Sequence, residues 1–134
     1  MYAHGHQLGD IVQWQQAHGL PCVLDHVAGM HTGLANDIKA CMHLQALANA
    51  GAWIKLSGWY RLGLSLPYAL DNLQLETIAT MFANRFIWGY DWPHTSFGAN
   101  QAPEYGQVWK PLQTLLGDQR CGLLAEQSLA LYGS

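Results

Sequence analysis

Residues 85–92 read RFIWGYDW, a short apolar and aromatic run that closes on a glycine, a tyrosine and a carboxylate. That build is a strand whose chemistry is kept for its C-terminal end. Two more stretches repeat it: LPCVLDH at 20–26, opened by Pro21, and AWIKLSG at 52–58. Helical patterns lie between them. Gln7–Ala17 forms one helix. Asp37–Ala50 forms a second, with Ile38, Cys41, Met42, Gln45 and Ala48 along its apolar face and Asn36 as N-cap. Leu70–Ala83 carries a stripe of Leu73, Thr77, Ile78 and Met81. Pro111 interrupts a fourth pattern over Val108–Leu116, and Cys121–Leu131 forms a last helix ended by Gly133. Strands alternating with helices build βαβ units and a parallel sheet, so the fold class is α/β. The opening Met1-Tyr2-Ala3 is then the remnant of an earlier strand.

Length and composition set the frame. At 134 residues the chain is a single domain, 1–134, long enough for a real core. Only 11% of it is charged, sparse against the roughly 25% of ordinary soluble proteins. A formal charge of -3, with Lys and Arg scattered singly, leaves no basic patch, so no nucleic-acid partner is expected. Six Trp and six Tyr point to pockets or protein contacts instead. The three cysteines, Cys22, Cys41 and Cys121, lie far apart and read as reduced thiols. Neither a membrane-spanning run nor a signal peptide is visible in the sequence, and a cytoplasmic location is the expectation.

The polar residues gather where the strands end: His4, His6, Asp25, His26, Ser57 and Asp91. In βα folds that edge binds ligands. Strand alternation sorts them by face. If His26 points into the sheet's interior, Leu24 and Cys22 do too, while Asp25 and Val23 face the helices. Asp91 groups with Gly89 and Ile87, against Tyr90, Trp88 and Phe86. An Asp and a His converging on one pocket supply a general base and a group that orients it or polarises the substrate. Arg61, just beyond the Ser57-Gly58 strand end, suits a substrate carboxylate.

Each of these residues also has an ordinary reading. His26 fits a satisfied core or cap histidine, Asp91 a turn cap before Trp92-Pro93, and Arg61 a surface arginine. Lys55, in an otherwise apolar strand, can snorkel, take part in chemistry or pair with a carboxylate, and structural pairing is the favoured reading.

PCVLDHVAG (21–29), WIKLSGWYR (53–61) and RFIWGYDWPHT (85–95) together resemble three successive strand-end signatures of the amidohydrolase-related family that includes 2-pyrone-4,6-dicarboxylate lactonase. The closing LAEQSLALYGS resembles that family's C-terminal Asn-Pro-x-x-Leu-Tyr helix, with Gln127-Ser128 in place of Asn-Pro. The resemblance implies a distorted (β/α)8 TIM barrel in which His26 ends strand six, Arg61 follows strand seven and Asp91 ends strand eight. His4-Gly5-His6 looks like the metal-binding His-x-His of such barrels, but that pair belongs to strand one. Between His6 and Pro21 there is chain for one helix only, so the pair marks the end of strand five. The resemblance still allows Tyr2 or His4 to contact substrate.

A whole barrel takes about 250 residues and eight strands. The expectation is therefore a C-terminal half-barrel, strand five (its end) to strand eight, completed by a missing N-terminal half or a second chain. Its implied function is hydrolysis of a small carboxylated lactone or related bond: Asp91 as base, His26 orienting, Arg61, Tyr2 and His4 binding substrate, and no metal or other cofactor. Two rivals stand beside it. One is a metal-dependent decarboxylase or hydrolase of the same superfamily, with Zn or Mn held by Asp91 and His4. The other is an inactive fragment or scaffold.

Overall fold

The computed structural model describes residues 5–30, 37–83, 85–91, 94, 97–98 and 101–133. Its elements run α1 (Leu8–His18), β1 (Val23–Leu24), α2 (Ile38–Asn49), β2 (Trp53–Leu56), α3 (Asn72–Phe82), β3 (Phe86–Trp88) and α4 (Tyr105–Tyr132). The three strands pair in parallel in the order β1-β2-β3, as expected. Val23 lies opposite Trp53, Lys55 opposite Ile87, and Leu56 opposite Trp88. Each strand is shorter than the apolar run containing it. The strand-five remnant, Tyr2 and His4 lie outside the described residues, and His6 sits exposed in a 3₁₀ turn (Gly5–Gln7) that feeds α1.

Local chemistry explains where the helices begin and end. Gly19, at φ 62°, closes α1 in the left-handed conformation and returns its N–H to the Gln15 carbonyl. Asp37 caps α2 by accepting from the Ala40 N–H at 2.9 Å, so the cap falls one residue after the expected Asn36, which lies outside the described residues. Asp71 caps α3 in the same way through the Gln74 N–H at 3.0 Å. Glu104 and Gln107 form a reciprocal capping box at the start of α4. That helix passes through Pro111, which costs it one backbone hydrogen bond, and breaks at Gly117 (φ 71°, ψ 168°) instead.

One core lies between the sheet and its helices. Cys22, Leu24, Ala52, Ile54, Leu56 and Phe86 pack there against Leu8, Leu44, Leu47, Ile78, Phe82, Val108 and Leu112. This corrects the face assigned to β1. Leu24 and Cys22 turn toward the helices, and Val23 and Asp25 take the opposite side. The open side consequently lacks Cys22 and Leu24, and β2 turns Ile54 into the core while its neighbours face that side. It carries half-buried Val23, Trp53 and Lys55, together with Ile87, which is buried yet stands apart from the core cluster. For β3 the grouping holds: Phe86 is in the core and Trp88 and Tyr90 pack against it.

The helix faces also differ from the expected stripes. Ala40, Leu44, Leu47 and Ala48 bury α2, leaving Ile38 74% and Met42 66% exposed. Both stripes have helical period, but the alanines let the helix lie close on the sheet, as larger side chains would not. On α3 the buried set is Gln74, Leu75, Ile78 and Phe82, and Leu73 faces outward. The Gln74 amide is satisfied there by donating to the Met30 carbonyl at 3.3 Å.

Candidate active site

The ends of β1, β2 and β3 each deliver side chains to one place. After Asp25 the chain enters four consecutive left-handed residues, His26, Val27, Ala28 and Gly29, at φ 50°, 52°, 56° and 65°. Three of them carry side chains and Val27 is β-branched, so the turn is strained by roughly 1–3 kcal/mol per such residue. Its effect is to swing His26 off the helix-facing side that Leu24 occupies. The His26 Nδ1 then lies 3.0 Å from the Ser57 hydroxyl just past β2. Its Nε2 comes within 3.6 Å of Asp91 Oδ1, a contact longer than a hydrogen bond. Asp91 is itself left-handed, at φ 65°. Backbone strain and candidate chemistry coincide at both positions.

The turn after β2 supplies the remaining partners. Gly58, at φ 64°, starts a 3₁₀ turn over Trp59–Leu62. Trp59 anchors the turn from below, donating its indole N–H to the Val108 carbonyl of α4 at 2.8 Å. With Trp59 fixed, its neighbours project to the mouth. The Tyr60 hydroxyl donates to Asp91 Oδ2, and the Arg61 Nε donates to the same oxygen at 3.4 Å. His26, Arg61 and Asp91, singled out from sequence, are thus brought together, and Tyr60 and Ser57 join them.

Electrostatics follow from this packing. Burial pushes the His26 imidazole below its ordinary 6.5, outweighing the opposing pull of Asp91 and Asp25. His26 is therefore neutral at neutral pH, and its approach to Asp91 is no ion pair. Burial, with the hydrogen bond to Asp91, pushes the Tyr60 hydroxyl up to about 12, so it remains a donor. Below the mouth, Lys55 Nζ pairs with Asp25 Oδ1 at 3.2 Å. Burial works to raise the Asp25 carboxyl, but the Lys55 ammonium leads the contributions that hold it below its usual value. The Lys55 stem crosses Gly89, where a Cβ would stand 2.2 Å from Lys55 Cε.

Tyr60 is the residue that sequence reasoning missed. An aromatic between Trp59 and Arg61 looks like more core, and only the 3₁₀ turn aims its hydroxyl at Asp91. His94 was also passed over. It is buried, its ring nitrogens have no hydrogen-bond partner among the described residues, and it meets the rings of Tyr60, Tyr90 and Phe97 edge-on. As for a metal, the described residues contain no cluster of three suitable ligands. Asp91 Oδ2 already receives a hydroxyl and a guanidinium, and a cationic neighbour at 3.4 Å does not fit a divalent ion on that oxygen. His4, the other ligand of the metal-dependent reading, lies outside the described residues.

Most of the chain is similar to known proteins. The sequence model of a family described as amidohydrolase matches residues 2–127. The 4-sulfomuconolactone hydrolase of Hydrogenophaga intermedia is 29% identical over 121 residues, covering 85% of this chain and 39% of its own. The enzyme of that name from Rhizobium radiobacter is 26% identical over 118 residues, covering 84% and 40%. Among solved structures, a Pseudomonas putida protein assigned as a 2-pyrone-4,6-dicarboxylic acid hydrolase superposes with a TM-score of 0.78 at 27% identity, over 97% of this chain and 49% of that one. An Acinetobacter baumannii protein with the same assignment, solved with citric acid bound, gives a TM-score of 0.74 at 22% identity, a likeness of fold. The chain thus spans about two fifths of the curated relatives it matches and half of the solved ones.

Proposed function

Because the chain belongs to the amidohydrolase family, we propose that the whole protein hydrolyses a small anionic lactone with Asp91 as general base. The observation that carries the reading is the convergence of His26, Tyr60 and Arg61 on that one carboxylate. The names of its relatives, a sulfonated and a dicarboxylated lactone hydrolase, support an anionic cyclic ester as the substrate class.

In this reading a water molecule beside Asp91 Oδ1 gives up a proton to the carboxylate as its oxygen attacks the lactone carbonyl. His26 is the neutral imidazole that orients the carbonyl. With Ser57 donating to Nδ1, the proton sits on Nε2, toward Oδ1 and the reacting group. The tetrahedral adduct collapses by breaking the ring C–O bond, and the proton held by Asp91 passes to the departing oxygen. The products are a carboxylic acid, which releases its proton to solvent, and a hydroxyl on one open chain. Arg61 donates to Asp91 Oδ2 and carries the positive charge that suits the substrate's acid group. Tyr2 and His4 are assigned to the same pocket as substrate contacts. The missing half-barrel, or a second chain, supplies the facing wall, and the cytoplasm is the proposed compartment.

The test is Asp91→Asn in the full-length protein. Lactone hydrolysis should fall about 10²–10⁴-fold, the usual worth of a positioned base. Retained turnover would remove Asp91 from the mechanism. Elemental analysis of the same protein addresses the metal-dependent rival, for which about one zinc or manganese per chain is required.

A further inference from the structure

The two oxygens of Asp91 are not equivalent. Oδ2 receives the Tyr60 hydroxyl and the Arg61 Nε together. Oδ1 faces only His26 Nε2 among the contacts described, and at 3.6 Å that contact is not a hydrogen bond. Tyr60 is held firmly in this position. The Phe97 ring meets it edge-on at 4.7 Å and the His94 ring at 5.9 Å, while the Arg61 guanidinium lies over its face at 5.3 Å. These contacts fix the ring plane, and with it the direction of the O–H bond.

We propose that Tyr60 is a positioning residue: it ties down Asp91 Oδ2, fixes the carboxylate's rotamer, and so reserves Oδ1 for the proton taken from water. The inference rests on the reading of Asp91 as the base. A carboxylate with two open oxygens samples several rotamers and hydrogen-bonds water through either of them. One clamped on Oδ2 presents Oδ1 in one orientation, and small losses of such alignment are costly in rate. The clamp is durable because the elevated Tyr60 hydroxyl stays protonated across the neutral range.

Among the described residues, the groups that bear on Asp91 come from three turns. Tyr60 and Arg61 come from the turn after β2, and His26 comes from the left-handed turn after β1. The Lys55–Asp25 pair lies below on the open side of the sheet, and His94 stands on Asp91's own loop. Of these, Tyr60 is the neutral group that donates a hydrogen bond to Asp91, so its loss leaves every formal charge in place. Tyr60→Phe therefore isolates the clamp from the local field.

The experiment measures kcat and KM of full-length Tyr60→Phe on a dicarboxylated or sulfonated lactone, from acid to alkaline pH. The expected result is a kcat reduced about tenfold or more with KM within about twofold. The acid limb of the kcat profile should move to higher pH, because the anionic carboxylate has lost a donor. Phe97→Leu, which keeps the hydroxyl but loosens the ring, should move both quantities in the same direction by less. A wild-type kcat and acid limb in Tyr60→Phe overturns the proposal. So does a rise confined to KM, which would make the hydroxyl a substrate contact. Asp91→Asn measured alongside separates the two readings. Turnover retained there removes the base itself, whereas turnover lost there with Tyr60→Phe unchanged removes only the clamp.

Discussion

Gly58 shows how narrowly the site is packed. A Cβ built on it would lie 2.3 Å from His26 Nδ1, and its φ of 64° already disfavours any other residue. Gly58→Ala is therefore expected to push the His26 ring off Ser57 and away from Asp91, and to cost stability as well. Crystallography or His26 NMR shifts of the variant would reveal the displacement, with kcat falling at least tenfold in the whole protein. A variant that keeps the Nδ1–Ser57 contact and wild-type turnover would mean that the turn yields more easily than its geometry implies. Gly89 is a milder case. The atom in the way there is the far end of a flexible lysine, so Lys55 can shift, and the change falls on the Asp25–Lys55 pair and not on the fold. Catalytic geometry at this scale depends on which Cβ atoms are missing.

At the scale of elements, two kinds of turn divide the work. Helix starts follow local rules, with Asp37, Asp71 and the Glu104–Gln107 box each satisfying N–H groups left over by the helix. Asp71→Ala should accordingly cost about 1 kcal/mol of unfolding free energy, within the 0.5–2 range for lost caps, seen as a lower denaturant midpoint with unchanged slope. An unchanged midpoint would show that tertiary packing alone holds the start of α3. Strand ends follow another rule. The His26–Gly29 turn and Asp91 occupy left-handed backbone that their side chains disfavour, and the surrounding core has to impose it. Val27 and Ala28 in that turn are both fully buried, which is how the packing takes hold of it. The same contrast explains the sequence reading: caps are visible in composition, and a left-handed histidine is not.

At the scale of the molecule, the helices among the described residues pack against one side of the three-stranded sheet. The other side presents half-buried Val23, Trp53 and Lys55, with Ile87 beneath them. Cys22, Leu24 and Ile54 lie under the helices instead. We expect this chain to associate when alone, because Trp53 puts a large ring on the open side. Sedimentation of the purified 134-residue chain should give a dimer or larger species. A compact monomer that unfolds in two states would show that one covered face suffices to close the core.

The sequence by itself determined the parallel order of the three strands, the helices between them, and the gathering of His26, Arg61 and Asp91 at one end. Those features follow from runs, breaks and chain order, which are local or nearly so. Tertiary structure decided the rest. It chose the face that β1 and α2 bury, because two stripes of equal period compete and only close packing on the sheet selects the one bearing small residues. It bent His26 across to the site through a turn that three of its four residues disfavour. It also made Tyr60, which reads as core, the donor on Asp91, since the direction of a side chain leaving a 3₁₀ turn depends on where Trp59 is anchored, and that anchor lies 49 residues away on α4.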